Sequence, residues 1–245
     1  MLDTSIPSLL TDQRPGFMGV LAGKLLGLGY RLTGKDRYDD FRLERVRDMQ
    51  ILVLPSVANP KSLRTGAFFA SQIDARLIDP SAEVLDLGTG SGVCALFAAR
   101  FARRVVAVDI NPAAVRCAGV NALLNGLEKC VDVRQGDLFA SVAHERFELV
   151  LFNPPFIVGT PKDDRDAAWR SSDLAPRFAA GLADHLKPGG TTLLLLSSFG
   201  DACALFESEL RRQGFRLEVF ARRRFINETV TIVRATPGPA RTGEV

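Results

Sequence analysis

The segment EVLDLGTGSGVCALFAARFA, residues 83–102, narrows most sharply what this chain can become. Its first five residues are apolar apart from Glu83 at the start and Asp86, which reads as a short strand buried on both faces. Gly88, Gly90 and Gly92 follow at once. They permit a tight turn and let a ligand lie against bare backbone. A helical apolar spacing begins directly after them. A buried strand, a glycine turn and a helix in that order predict an α/β fold with a ligand site at the carboxyl ends of parallel strands.

The rest of the chain continues the alternation. RVVAVD (104–109) reads as the next strand. PAAVRCAGVNALLNG (112–126) reads as the next helix, with Pro112 at its start and Gly126 at its end. VDVRQ, FELVLF, TTLLLLS, FRLEVF and ETVTIVRA are further strands. Helices are expected around 174–186 and 201–213. The last two strands are joined by a short connection, so they should pair antiparallel. Ahead of this unit, ILVLP (51–55) reads as a short strand and the stretch from Thr65 as a helix. The apolar segment 16–30 carries Lys24, is too short to span a membrane, and is expected to pack as a helix. The charged stretch 34–50 is expected to hold a second helix. Residues 1–60 are thus expected to form an N-terminal extension and candidate substrate-recognition element, residues 61–235 the main domain, and residues 236–245 a flexible tail.

Composition excludes more than it selects. A chain of 245 residues that is 47% hydrophobic can bury one large core. A net charge of +3 argues neither for nor against an acidic partner. Cys94, Cys117, Cys130 and Cys203 are scattered, without a CxxC pair, as expected of buried thiols in a reducing, cytoplasmic compartment. With two histidines far apart, His144 and His185, no metal site and no histidine-based triad is expected.

The glycine spacing carries chemistry. In the dinucleotide fingerprint the third glycine comes three residues after the second; here it comes two after, and Asp86 precedes the loop. That spacing suits a ligand without a pyrophosphate. Asp109 closes the second strand, where a carboxylate can accept from both hydroxyls of a ribose. Asp137 follows the third strand in GDLF, where a carboxylate can accept from an exocyclic adenine amine. Each acid alone is also consistent with an ordinary cap or turn; together they outline an adenosine site. Asn153-Pro154-Pro155-Phe156 ends the fourth strand. Two residues without an N–H there cost ladder hydrogen bonds, so the turn must serve something else.

DLGTGSG, VDINP, GDLF and NPPF together resemble the class I S-adenosylmethionine-dependent methyltransferases, over 64–235. The resemblance implies a Rossmann-like, mostly parallel seven-stranded sheet in the order 3-2-1-4-5-7-6, helices on both faces and an antiparallel seventh strand. It implies S-adenosylmethionine as cofactor and S-adenosylhomocysteine as product. The cofactor positions carried over are Arg64, Thr65, Gly66, Asp86, Gly88, Gly90, Gly92, Asp109, Ile110, Asp137, Leu138 and Asn153. In this family NPPF marks methylation of a nitrogen bound to an sp2 carbon. The resemblance therefore assigns Asn153, Pro154, Pro155 and Phe156 to the reacting centre, with Phe156 stacking on a planar substrate.

NALLNG, the polar insert 159–173 behind NPPF, and the final strand ETVTIVRA resemble most the release-factor-type glutamine methyltransferases. That implies a protein glutamine amide as acceptor and a translation factor as partner. Trp169 is carried over to the substrate pocket; the alternative is a packing anchor. The relatives have an acidic residue where this chain has Arg64-Thr65-Gly66. Arg64 then meets either the carboxylate of the cofactor's methionine part or surface charge. Arg42, Arg45, Arg47 and 222–224 offer phosphate contacts or plain surface charge. An rRNA amine, a small-molecule nitrogen, a nucleotide-dependent oxidoreductase and an inactive scaffold are the competing readings.

Overall fold

The computed structural model describes residues 41–61, 64–162, 166, 170–226 and 228–238. Segment 16–30, the tail beyond 238 and Trp169 lie outside the described residues. The chain enters as a hairpin, β1 (Arg42–Val46) and β2 (Met49–Val53). Helix α1 (Thr65–Ser71) follows. The main unit then runs β3 (Glu83–Leu87), α2 (Val93–Ala99), β4 (Arg104–Asp109), α3 (Pro112–Leu124), β5 (Val131–Gln135) and β6 (Phe147–Phe152). A small pair, β7 (Ile157–Val158) and β8 (Arg170–Ser171), precedes α4 (Leu174–Leu182). The chain closes with β9 (Leu186–Ser197), α5 (Ala202–Arg212), β10 (Phe215–Arg224) and β11 (Thr229–Pro237).

The central sheet has seven strands in the order β5-β4-β3-β6-β9-β11-β10. Renumbered along the main unit, this is 3-2-1-4-5-7-6, as expected. Strands β5, β4, β3, β6 and β9 are parallel to one another, and β11 runs antiparallel to both β9 and β10. Strand alternation sorts the core into two layers. Leu149, Leu151, Leu193 and Leu195 face α1, α2, α3 and the hairpin. Val150, Phe152, Leu194 and Leu196 face α4 and α5, where Phe178 and Phe206 are fully buried. Each such side chain contributes about 1.5–3 kcal/mol of burial.

The helix expected within 34–50 is, from Arg42 onward, a hairpin instead. Arg47 takes a left-handed φ of 53° in the turn. Val46, Met49, Ile51 and Val53 are buried while Arg45 and Gln50 face outward. The period of two in MQILV outweighs the helix-favouring charges around it. The last strand also runs two residues past its expected end, Thr236 and Pro237 pairing with Arg216 and Phe215. Among the described residues no helix is long and apolar enough to cross a membrane.

Candidate active site

At the carboxyl edge of the sheet a cavity of about 380 Å³ opens where β3, β4, β5 and β6 end. Its wall includes Thr65, Gly66, Gly88, Gly90, Asp109, Ile110, Asp137 and Leu138, and the whole of Asn153-Pro154-Pro155-Phe156. Most of the residues singled out from the sequence are therefore brought to one place. The glycine loop is shaped by Gly88 and Gly90 at φ values of 59° and 57°. Gly90 donates its N–H to the Asp109 carboxylate at 2.8 Å, and the Asn111 N–H donates to the same carboxylate at 2.9 Å. Asp109 thus holds the loop while remaining in the cavity wall. Burial pushes its pKa above the ordinary carboxylate value, against the pull of those N–H donors.

Three of the expected positions stand back from the cavity wall. Asp86 is buried beneath the loop, where the Thr89 hydroxyl (2.6 Å) and the Ala95 N–H (3.0 Å) donate to it. Burial pushes its pKa up to about 7, those hydrogen bonds pull the other way, and the neighbouring Asp109 adds to the rise. Gly92 starts α2 at φ 82°, and a Cβ there would sit 3.1 Å from Ala118 Cα. Its role is close packing of α2 on α3. Arg64 precedes α1 with φ 62°, its guanidinium 5.9 Å from the Phe225 ring centroid. A fourth position, Asp137, is in the wall but already engaged: Arg177 donates to it at 2.5 Å.

The fourth-strand turn holds an unpaired acceptor. Asn153 Oδ1 is buried and has no hydrogen-bond partner among the described residues. Such an oxygen costs about 1–3 kcal/mol if nothing ever meets it. Pro154 and Phe156 are buried beside it. The backbone of Phe156 is fixed by the Ala202 N–H, which donates to its carbonyl at 3.1 Å. The turn is therefore held from the β9–α5 connection.

Other wall residues were not singled out from the sequence. Ser56, Val57, Ala58 and Pro60 arrive from the segment after the hairpin, and Arg170, Ser171, Leu174 and Arg177 from β8 and α4. Arg170 and Ser171 fall in the insert 159–173 noted behind NPPF; nothing local marks the others, which reach the cavity only because distant elements pack there. Leu138 combines a wall position with a φ of 49°, a strained backbone of the kind that clusters at functional sites.

Strand order, the antiparallel seventh strand and a cavity over the ends of the first four strands define a class I S-adenosylmethionine-dependent methyltransferase. The chain belongs to the methyltransferase small domain family, whose pattern it matches over residues 49–219. It is 32% identical over 164 residues to a protein of Methanocaldococcus jannaschii named as a protein N5-glutamine methyltransferase; the match covers 62% of this chain and 80% of that one. It is 37% identical over 143 residues to the release factor glutamine methyltransferase of Cereibacter sphaeroides, covering 50% of this chain and 49% of that one. The chain thus spans about half the length of that bacterial relative. Among solved structures, the T. thermophilus 16S rRNA N2 G1207 methyltransferase in complex with AdoMet and guanosine superposes with a TM-score of 0.59. At 21% identity, covering 81% of this chain and 50% of that one, the likeness is one of fold.

Proposed function

We propose that this protein transfers a methyl group to a nitrogen attached to an sp2 carbon, and that the acceptor is a protein glutamine amide. The observation that carries the reading is the buried Oδ1 of Asn153 in the wall of the cavity, without a hydrogen-bond partner among the described residues. An amide or ring-amine nitrogen is a poor nucleophile because its lone pair is delocalised. An acceptor that takes one N–H of such a nitrogen fixes its plane and draws electron density onto it as it reacts. Pro154 has no N–H of its own, so its carbonyl offers a second acceptor without a competing donor. Phe156 supplies an apolar wall for a planar group.

The cavity residues fit the cofactor. S-adenosylmethionine supplies a methyl on a positively charged sulfur that is its own leaving group. Gly88 and Gly90 present bare backbone at positive φ, Asp109 places a carboxylate for two ribose hydroxyls, and Leu138 and Ile110 offer apolar surface for a purine. Thr65 and Gly66, at the start of α1, close the side facing the glycine loop. Asp137 keeps acceptor capacity beside its bond to Arg177, since an ionised carboxylate has about four lone-pair sites. The residues themselves align and polarise the acceptor, which is where most of the catalytic effect in such a site arises.

The names of the archaeal and bacterial relatives support a protein glutamine as the acceptor, and the bacterial name supports a release factor as the protein. The four free thiols suit work in a reducing cytoplasm. The test is transfer of tritiated methyl from S-adenosylmethionine into a lysate of cells lacking the protein, followed by nuclease and protease digestion. Label in a protein band, recovered as methylated glutamine, is the expected result. Label that follows RNA makes a guanine or adenine amine the acceptor, and label in neither overturns both.

A further inference from the structure

The hairpin β1–β2 is joined to the main domain by side-chain amides. Leu52 donates its N–H to Asn121 Oδ1 at 2.7 Å, and Asn121 Nδ2 donates back to the Leu52 carbonyl at 2.7 Å. One turn on, the Gln50 N–H donates to Asn125 Oδ1 at 3.3 Å, and Asn125 Nδ2 donates to the Gln50 carbonyl at 2.8 Å. Four residues of helix rise about 6.0 Å and two residues of strand about 6.6 Å. Two asparagines four apart on α3 therefore match two residues two apart on β2. The helix offers the edge of β2 what a neighbouring strand would offer. The same Asn121 Nδ2 spends its second proton on the carbonyl of Ser91, inside the glycine loop, at 2.8 Å. Asn121 is fully buried, and its Oδ1 and both Nδ2 protons are engaged.

We infer that Asn121 is a positioning residue for cofactor binding, coupling the docking of the hairpin to the shape of the glycine loop. Two walls of the cavity are linked through this one amide, one directly and one through the chain that follows Leu52. One is the loop at Gly88 to Ser91. The other is the segment Ser56 to Pro60 that β2 delivers, itself tied down where Asn111 Nδ2 donates to the Ser56 carbonyl at 3.2 Å. Asn125 Nδ2 also donates to the Asn121 backbone carbonyl at 2.8 Å, but Asn125 makes no hydrogen bond to the glycine loop among the described residues. The inference rests on S-adenosylmethionine being the ligand of this cavity.

Calorimetric titration of the full chain with S-adenosylmethionine tests it. Asn121→Ala is expected to raise the Kd about tenfold or more, the scale of one to two lost hydrogen bonds. Its kcat in the lysate assay at saturating cofactor should stay within about threefold of wild type. Asn125→Ala should leave the Kd within about twofold. If Asn121→Ala does not fold, Asn121→Asp serves: it keeps the acceptor for Leu52 N–H and loses both donors. In the wild-type protein, hydrogen exchange at the Leu52 amide should slow when S-adenosylmethionine is added. An unchanged Kd in a folded Asn121 variant overturns the inference, as does equal weakening by Asn125→Ala or unaltered exchange at Leu52. A wild-type protein that does not bind S-adenosylmethionine overturns the cofactor assignment itself, which separates the two failures.

Discussion

Asn153 and Asp109 divide the labour of the cavity in ways that single substitutions separate. Asn153 Oδ1 has no partner within the described protein, so its removal leaves no orphaned neighbour and little reason for the fold to suffer. Asn153→Ala is expected to cut turnover by about a hundredfold or more, the effect of losing one aligned polar group in a preorganised site. Its affinity for S-adenosylmethionine, read by calorimetry, should stay near wild type. Asp109 behaves in the opposite sense. Its carboxylate both lines the cavity and accepts from the Gly90 and Asn111 amides. Asp109→Ala should weaken cofactor binding by roughly a hundredfold, since the loop loses an anchor as well as the ligand an acceptor. Circular dichroism should still report a folded protein, because the change lies at the rim of the sheet. Wild-type cofactor affinity in this variant would remove Asp109 from the site.

Between residues and the whole lie the connections that hold the reacting turn. Gly200, in the β9–α5 connection, leaves no room for a side chain: a Cβ there would lie 1.8 Å from the Phe156 carbonyl oxygen. That oxygen also accepts the Ala202 N–H at the start of α5. Gly200→Ala must push the Asn153–Phe156 turn by about an ångström, a misplacement that costs about a hundredfold in rate. The lysate assay should show that loss, while calorimetry shows cofactor affinity changed by only a few fold. The sequence announced the strands of this sheet through apolar runs, and the glycine loop through its spacing, because both are local patterns. It also announced NPPF, whose two prolines make no sense inside a strand. It announced part of the hairpin's second strand, at 51–55, but not its first strand from Arg42 to Val46, because charged helix-formers surround a period of two only five residues long. Nor did it announce the Arg177–Asp137 pair, whose partners lie 40 residues apart. Asn121 and Asn125 were visible as a helical pattern, yet their strand partners lie 69 and 75 residues away. What packing assembles from distant segments leaves no local signal.

Carboxylates at the two ends of the sheet respond to pH in opposite senses. At the amino ends of the strands, Lys187 bridges Glu83 (3.0 Å) and Glu148 (2.9 Å), Arg104 pairs with Glu145 (2.8 Å) and Asp132 (2.9 Å), and Arg134 joins the last two. The pKa values of Asp132, Glu145 and Glu148 are lowered: burial opposes the fall, but the hydrogen bonds and charges of these partners outweigh it. Their stabilisation is present above the unfolded carboxylate range near pH 4 and is lost as pH falls below it. At the carboxyl ends, burial raises Asp86 to about 7 and raises Asp109 as well. Between about pH 4 and pH 7 the folded state then holds protons that the unfolded chain has released, so stability declines as pH rises through that window. The two trends together place the stability maximum of the cofactor-free protein on the acid side, near pH 5. Urea unfolding should give a free energy roughly 2–4 kcal/mol larger at pH 5 than at pH 8, taking each pKa unit as about 1.4 kcal/mol. Asp86→Asn keeps an oxygen for Thr89 and Ala95 while removing the buried charge. It should flatten most of the decline between pH 5 and pH 8 while leaving the acid limb below pH 4 in place. A stability curve that rises from pH 5 to pH 8, or an Asp86→Asn curve parallel to wild type, would show that Asp86 is charged beneath the loop throughout.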